Sequence, residues 1–146
     1  QQMAQFQDER LIALLSSNAG SLQLWKQTVA YGRDRSVFGK PVTKFQFKQF
    51  RLVDLMMRIH AARELGYHCV RKRCRGEDAT LEISMGKIFC IEVAQQVATV
   101  CMQLHGGAGY MKENVAGRAF VDTRLASIGG GADEVMMQVI SRMLGL

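Results

Sequence analysis

The sequence contains a single proline, Pro41, and no window of about 18 consecutive apolar residues. Scarce proline beside fourteen glycines argues against a turn-rich β-sandwich and favours long helices that end at glycines. The absence of a long apolar run argues against a membrane-spanning helix. Apolar residues make up 48% of the chain and charged residues 22%, a balance typical of one folded domain and not of a disordered chain.

Cysteines and acidic residues are also few. The four cysteines show no C-x-x-C spacing, so neither a zinc site nor a disulfide framework is expected. The chain has thirteen acidic and nineteen basic residues, a net charge of +6. This charge is compatible with binding a phosphate-bearing small molecule, nucleic acid or anionic lipid. The densest basic run, residues 71–75, has no interleaved aromatic residue, so it predicts a solvated helix end and no nucleic-acid surface.

Apolar residues recur at steps of three and four through most of the chain, which is the spacing of one buried helix face. This spacing predicts five helices, over residues 8–32, 45–75, 78–104, 115–125 and 133–144. No segment of useful length has the alternation of a strand. The sequence therefore predicts an all-α fold, an antiparallel helical bundle of about four long helices plus a short helix, forming one domain over residues 1–146.

Three details of these helices carry further expectations. Asp8 is the predicted cap of the first helix. Gly20, inside that helix, costs about 1 kcal/mol and predicts close packing at that point. The second half of the third helix is apolar on almost every face, so it must be buried on all sides. Three neighbouring helices do not easily bury so much surface, and we therefore expect an oligomer.

Three glycine-rich or charged stretches lie between the helices. Residues 33–41 hold arginines, a lysine and a phenylalanine, residues 103–110 hold three glycines, and residues 128–134 hold three consecutive glycines before two acids. Guanidinium groups bind phosphate oxygens in pairs, and glycine lets backbone N–H groups approach a ligand. Taken one at a time, the first stretch is better explained as an ordinary charged loop between helices, and the other two are weak signals, the third also being explained as a plain turn.

The histidines and acids do not form a metal motif. Glu64 and His68 lie four positions apart on one predicted helix face. A di-iron bundle uses Glu-x-x-His, three apart, in two copies, and the sequence lacks it. No metal site is therefore predicted, and we expect His60, His68 and His105 to be structural.

Taken together and in order, these stretches resemble the carboxy-terminal helical domain of the flavin-dependent acyl-CoA dehydrogenases. The resemblance rests on an R-x-x-F-G-K-P segment from Arg35, a Q-x-H-G-G-x-G-Y turn from Gln103, a D-x-R at Asp122 and a G-G-x-x-E helix opening from Gly130. It covers essentially the whole chain. It implies the C-terminal part of a longer flavoprotein, because the family's amino-terminal helical domain and middle β-domain are not in this sequence.

The resemblance implies flavin adenine dinucleotide (FAD) as the cofactor. Arg35 and Phe38 match family positions that hold its diphosphate and adenine from a neighbouring subunit, and Gln46 matches an adenine-side contact. The family's turn that closes over the same dinucleotide is matched by Gln103, Gly106 and Gly107. A cofactor-side position on the last helix is matched by Glu134. Many members have threonine where this chain has Ala132, so that one cofactor contact is missing.

The resemblance also implies a catalytic base. Some members carry the catalytic glutamate at the position of Gly130, where glycine transfers no proton. Others, similar to isovaleryl- and long-chain acyl-CoA dehydrogenases, keep glycine there and carry the base at the start of the first helix of this domain. At that place the chain has Glu9 followed by Arg10. Glu9 is thus the implied general base for the α-proton of an acyl thioester, and Arg10 an implied contact near the acyl-CoA.

The implied function is oxidation of an acyl-CoA to the trans-2-enoyl-CoA, with electrons passed to an electron-transfer flavoprotein by a dimeric or tetrameric enzyme. Two alternatives stay open. One is a non-catalytic helical assembly module, and the other is an acyl-CoA oxidase or a flavoprotein like nitroalkane oxidase that reduces oxygen. The expected compartment is the mitochondrial matrix in a eukaryote or the cytoplasm in a bacterium.

Overall fold

The computed structural model describes residues 2–146, with side chains from Phe6 onward. Its body consists of three long helices, α1 (Gln2–Asp34), α2 (Gln46–Cys74) and α3 (Thr80–His105). Three shorter helices follow, α4 (Gly107–Tyr110), α5 (Val115–Ala126) and α6 (Asp133–Leu144). The predicted all-α class is confirmed, and the helix the sequence did not predict, α4, is a single turn. Within this described part, no helix combines the length and the apolar character that crossing a bilayer requires.

The connection between α1 and α2, predicted as a loop, contains a small hairpin. Two-residue strands β1 (Ser36–Val37) and β2 (Lys40–Pro41) pair in antiparallel register, Val37 opposite Lys40. A 3-10 turn over Val42–Lys44 then leads into α2. The hairpin reverses the chain, so α2 packs back along α1.

Side-chain hydrogen bonds fix the direction of α2 against α1. The Asn18 amide donates to the carbonyl of Ile59 at 2.9 Å, and the Trp25 indole donates to the carbonyl of Leu52 at 2.8 Å. Residue numbers rise along α1 while those of their partners fall along α2, so the two helices are antiparallel. Each bond also satisfies a polar side chain inside the packed interface, where an unpaired donor is costly.

Helix α3 is antiparallel to α2 by the same reasoning. The Lys72 ammonium bonds Glu82 at 2.6 Å near one end, and the Cys90 thiol lies 3.5 Å from the carbonyl of Ala62 further along. Since α1 and α3 both run against α2, they run in the same direction. The bundle therefore brings the C-terminal ends of α1 and α3 to one end of the molecule, and their N-terminal ends to the other.

The hydrophobic core lies around α3, which packs against α1, α2, α5 and α6. Its fully buried side chains come mainly from the three long helices and include Leu14, Leu55, Ile59, Ile83, Cys90, Val93, Val97 and Cys101. Within this single chain the apolar residues in the second half of α3 are buried or half-buried, while Glu92 and Thr99 reach solvent on one strip. The expectation that a further copy of the chain covers this helix stays a prediction.

Two expectations about α1 are wrong. The helix begins at Gln2, so Asp8 lies within it and caps nothing; instead its carboxylate pairs with Arg73 of α2 at 2.7 Å. Gly20 is exposed, and a Cβ built on it would meet no atom within 4 Å, so it marks no close packing in this chain.

The basic run at residues 71–75 ends α2, as the sequence predicts. Acidic side chains neutralise three of its cations, in the pairs Lys72 with Glu82, Arg73 with Asp8, and Arg75 with Glu77. This pairing leaves little free positive charge for a polyanion at that end.

Two glycines make a matched pair for measuring stability. Gly20→Ala removes helix-interior glycine in open space and should raise the free energy of unfolding by about 0.5–1 kcal/mol. Gly117→Ala should lower it by about 2 kcal/mol, because the new Cβ would lie 2.7 Å from the carbonyl oxygens of Gly109 and Met111. Urea unfolding of both variants measures the two shifts. Equal shifts in one direction would contradict the packing described here.

Candidate functional site

The β1–β2 hairpin presents an aromatic ring to solvent. Its two-residue turn has φ +48° at Phe38 and +78° at Gly39, the mirror-image turn that matches strand twist. A non-glycine residue held there costs about 1–3 kcal/mol. Phe38 is nevertheless 96% exposed, so no packing inside the chain offsets that strain. The ring is therefore placed for contact with something outside this chain.

Arg35 lies at the base of the same hairpin, immediately after α1. Its backbone N–H donates to the carbonyl of Tyr31 at 2.9 Å, and its own carbonyl accepts from Val42 at 2.9 Å, so the backbone is held at both sides. The Arg35 side chain is exposed and takes part in no ion pair within the described residues. Its guanidinium is free to bind an anion.

The second loop of the site begins at the end of α3 and is anchored by His105. The imidazole is stacked on the ring of Tyr31, with centroids 4.2 Å apart and planes 7° from parallel. The Tyr31 hydroxyl donates to the carbonyl of His105 at 3.3 Å. The expectation that His105 is structural is thereby met, and its role is to join the end of α3 to the end of α1.

The polar neighbours of His105 select its neutral form. The Asn114 carbonyl oxygen accepts from the N–H of Ala116 at 2.8 Å, which caps α5 and turns the Asn114 NH2 group toward Nδ1 of His105, 3.2 Å away. Because that group can only donate, Nδ1 must be unprotonated, and Nε2 donates to Thr28, also at 3.2 Å. Burial lowers the pKa of His105 in agreement with this arrangement.

These anchors bring six of the seven sequence-predicted cofactor residues to one end of the bundle, while the seventh, Glu134, lies in the first turn of α6 at the other end. Arg35 and Phe38 follow α1, Gln46 opens the neighbouring α2, and Gln103 lies in the last turn of α3. All four side chains are exposed. We call this end, comprising Arg35, Phe38, Gln46, Gln103, Gly106 and Gly107, the hairpin end.

The hairpin end fits a dinucleotide. A diphosphate requires unpaired cations and accessible backbone donors, and an adenine requires a flat apolar surface. Gly106, with φ +62°, and Gly107 have no atom within 4 Å of an added Cβ, so a ligand can approach their backbone. Arg35 supplies the cation and Phe38 the ring.

Glu9 and Arg10 lie at the opposite end of α1. They line a cleft of about 370 Å³ with Gly130, and Arg10 Nε donates to the carbonyl of Gly130 at 3.0 Å. Glu9 is exposed at the edge of this cleft and forms no ion pair within the described residues. Glu134 is exposed in the first turn of α6. We call the space between Glu9 and Gly130 the Glu9 cleft.

The two ends cannot meet inside one chain. Glu9 and Arg35 are 26 positions apart along the α1 segment. At a rise of 1.5 Å per residue, that is a separation of about 39 Å. Residues from both ends can therefore contact the same small molecule only if they belong to different copies of the chain.

Three of the four cysteines are too deeply buried for thiolate chemistry, and the described residues contain no metal-binding cluster. Cys69, Cys90 and Cys101 are buried, and burial raises the thiol pKa of Cys90 to about 12. Such thiols carry no thiolate at neutral pH and make poor nucleophiles. Within residues 2–146, no three His, Cys, Asp or Glu side chains are grouped to hold a metal ion.

One polar residue near the Glu9 cleft was missed by the sequence reading. Lys87 of α3 has no exposed surface, and its ammonium donates to the carbonyl of Gly131. The sequence does contain a signal for this unusual lysine. No acid stands three or four positions away on its helix, where the residues are Ile83, Ser84, Cys90 and Ile91. A lysine in such an apolar helix segment has no local ion-pair partner and must find one elsewhere in the fold.

The helices and the two ends define a helical domain suited to hold parts of a dinucleotide. Residues 1–145 match the family described as acyl-CoA dehydrogenase, C-terminal domain. The long-chain specific acyl-CoA dehydrogenase of Rattus norvegicus mitochondria is 35% identical over 138 residues, 94% of this chain and 32% of that protein. The chain belongs to the acyl-CoA dehydrogenase family.

Solved structures agree with this assignment. Acyl-CoA dehydrogenase from Geobacillus kaustophilus superposes with a TM-score of 0.95 at 34% identity, covering 99% of this chain and 38% of that one. A structure of PigA with FAD and proline superposes with a TM-score of 0.91 at 27% identity, covering 97% of this chain and 37% of that one. The chain thus spans about a third of the length of the relatives it matches.

The neutral His105 predicts a pH dependence of stability. Its pKa is lowered in the folded state, so the unfolded chain binds the extra proton first as pH falls. The free energy of unfolding should therefore fall as pH drops below about 6.5, the ordinary histidine value, until the pH passes the folded-state pKa. His105→Gln should flatten this dependence, as measured by urea unfolding between about pH 7.5 and about pH 5, a range that spans the ordinary histidine value.

His60→Gln is the matched control for this experiment, because His60 is exposed on α2. That variant should retain the pH dependence. If His105→Gln and His60→Gln behave alike, the neutral anchoring role of His105 is refuted.

Proposed function

We propose that this chain is the C-terminal part of an FAD-dependent acyl-CoA dehydrogenase, which oxidises an acyl-CoA to its trans-2-enoyl-CoA. The observation that carries the proposal is the division of the chain into a hairpin end suited to a dinucleotide and a Glu9 cleft suited to proton transfer. The family membership, the rat long-chain enzyme and the PigA structure with FAD support it. Residues 1–146 form one domain of this longer protein, and alone they would be inactive.

In the proposed enzyme, the hairpin end holds the adenine and diphosphate half of FAD. The Arg35 guanidinium binds the diphosphate, because a planar cation pairs with two phosphate oxygens at once. Phe38 lies against the adenine, and Gln46 contacts the same base. The backbone N–H of Gly107 approaches the diphosphate, Gly106 leaves room for that approach, and Gln103 closes over it. The strain at Phe38 then has a reason, since the turn aims the ring at the cofactor.

Glu9 is the proposed general base. Its carboxylate removes the α-proton of the acyl thioester; when bound, the flavin supplies the acceptor for the hydride from the β-carbon. Gly130 leaves space opposite Glu9, because an added Cβ would meet only the Lys87 side chain, 3.9 Å away. Arg10, held by the Gly130 carbonyl, places a positive charge beside the acyl-CoA. Glu134, exposed in the first turn of α6, is the proposed cofactor-side residue of the last helix.

The proposed enzyme is a dimer or tetramer, because the two ends of one chain are too far apart to share one flavin. The hairpin end would serve the cofactor of a neighbouring subunit, while the Glu9 cleft acts in its own subunit. Helix α2 exposes an apolar stripe suited to such a contact, at Phe47, Phe50, Val53 and Met57. We infer an electron-transfer flavoprotein as electron acceptor, and the mitochondrial matrix or bacterial cytoplasm as the compartment.

Loss of the Arg35 guanidinium should weaken flavin binding. A charge-assisted hydrogen bond contributes about 1.5–3 kcal/mol, so Arg35→Ala should raise the Kd of FAD by roughly 10–100-fold. The full-length protein, stripped of flavin and titrated with FAD, gives this constant by fluorescence quenching. Arg71→Ala removes an exposed arginine from the far end of α2 and should leave the Kd unchanged. Equal affinity of the Arg35 variant and wild type would contradict the assignment.

Loss of the Glu9 carboxylate should stop proton transfer while leaving the cofactor in place. General bases contribute about 10²–10⁴-fold, so Glu9→Gln should lower kcat by that range with acyl-CoA as substrate. Exchange of the substrate α-proton with deuterated water should fall in parallel. Glu64→Gln, an exposed glutamate of α2, serves as the control. Unchanged turnover in the Glu9 variant would rule out this base, and steady hydrogen peroxide formation would favour an oxidase.

A further inference from the structure

Lys87 carries its ammonium group inside the helical bundle. It is the largest of the side chains with no exposed surface, and its own helix offers no acid within hydrogen-bonding reach. Burying a cation is costly unless other groups replace its water. The position of this charge therefore calls for an explanation from the surrounding structure.

The ammonium is directed at the glycine bend, residues 129–131, that forms one wall of the Glu9 cleft. Lys87 Nζ donates to the carbonyl of Gly131, while Arg10 Nε donates to the carbonyl of Gly130 at 3.0 Å. These consecutive glycines have φ +106° and +68°, so both lie in the region that only glycine occupies easily. Two cations from two helices thus hold two consecutive peptide groups of a bend that has no side chains to hold it.

Charged groups from three neighbouring helices, α1, α5 and α6, lie near this lysine. Glu9 and Arg10 of α1 and Asp122 of α5 line the same cleft as Lys87. Asp133 opens α6, and its Oδ1 is buried without a hydrogen-bond partner in the described part of the chain. Burial lowers the pKa of Lys87, the Asp133 carboxylate opposes that shift, and the Arg10 charge adds to it. Lys87 therefore balances Asp133 and also contributes positive charge to the cleft.

We propose that Lys87 is a positioning residue of the Glu9 cleft, which holds the carbonyl of Gly131 and thereby keeps Gly130 opposite Glu9. The inference rests on the proposed function, in which Glu9 is the base. Lys87 touches neither substrate nor flavin in this scheme. It acts on the reaction through the glycine bend and through its charge.

Three substitutions in the full-length holoenzyme separate these two effects. Lys87→Met removes both donor and charge, Lys87→Gln keeps an N–H donor without the charge, and Lys87→Arg keeps both. Lys26→Met removes an exposed lysine from α1 as the matched control. The measurements are kcat and KM with an acyl-CoA across pH, and hydrogen–deuterium exchange of residues 127–133.

Lys87→Met should lower kcat by roughly 10–100-fold with a much smaller change in KM, because a displaced wall misaligns base and substrate. The acid limb of its kcat/KM profile should move to higher pH, since a cleft that loses a cation disfavours the charged form of carboxylates in it. Hydrogen–deuterium exchange of the backbone amides in the glycine bend should accelerate roughly tenfold. Lys87→Arg should recover most of the kcat, Lys87→Gln should show the pH shift, and Lys26→Met should match wild type.

Unchanged kcat, pH profile and bend exchange in Lys87→Met would overturn the proposal. If that variant does not fold, Lys87→Gln decides, and an unshifted pH profile in it overturns the role of the charge. If the wild-type protein itself fails to oxidise any acyl-CoA, the proposed function fails. In that case the exchange data still decide whether Lys87 holds the bend, so the two failures are distinguishable.

Discussion

The stacking of His105 on Tyr31 is the contact on which the position of the hairpin end depends. Tyr31 lies in the last turns of α1, just before Arg35, and His105 is the last residue of α3. Because the rings are parallel and 4.2 Å apart, the two helix ends cannot slide independently. The loops that follow them are therefore held side by side, although Tyr31 and His105 are 74 positions apart in the chain. The neutral imidazole of His105 hydrogen-bonds with both Asn114 and Thr28, so this contact between the helix ends has a single arrangement.

The length of α1 separates two kinds of chemistry. At one end an exposed arginine, an aromatic ring and open glycine backbone suit a bound dinucleotide, and at the other a carboxylate faces two cations and a glycine bend. An unbroken helix of 33 residues keeps these ends apart. In the proposed oligomer each flavin is therefore held by two chains, so cofactor binding would also stabilise the assembly by mass action. The exposed apolar stripe of α2 is consistent with this arrangement.

Local patterns predicted most of the fold, and long-range contacts account for what they missed. The helices followed from apolar spacing because helical periodicity is a local property. Asp8 does not cap α1, because the helix begins at Gln2, and its ion-pair partner, Arg73, is 65 positions away. Lys87 was overlooked because its acceptor on Gly131 is 44 positions away. The hairpin escaped notice because Phe38-Gly39 is not one of the usual dipeptides of that turn.

The candidate site was predicted in its parts and not in its geometry. The family resemblance pointed to Arg35, Gln103 and Glu9 individually, and their roles stay predictions. Only the structure shows that the first two lie together and the third far away, and in the proposed enzyme this division places the hairpin end on a neighbouring subunit's flavin. The most direct test is a cryo-electron microscopy map of the full-length protein purified with its flavin. We expect Arg35 and Phe38 of one subunit to contact the diphosphate and adenine beside the Glu9 cleft of another. A map in which every Arg35 faces bulk solvent, away from any flavin, would contradict the account.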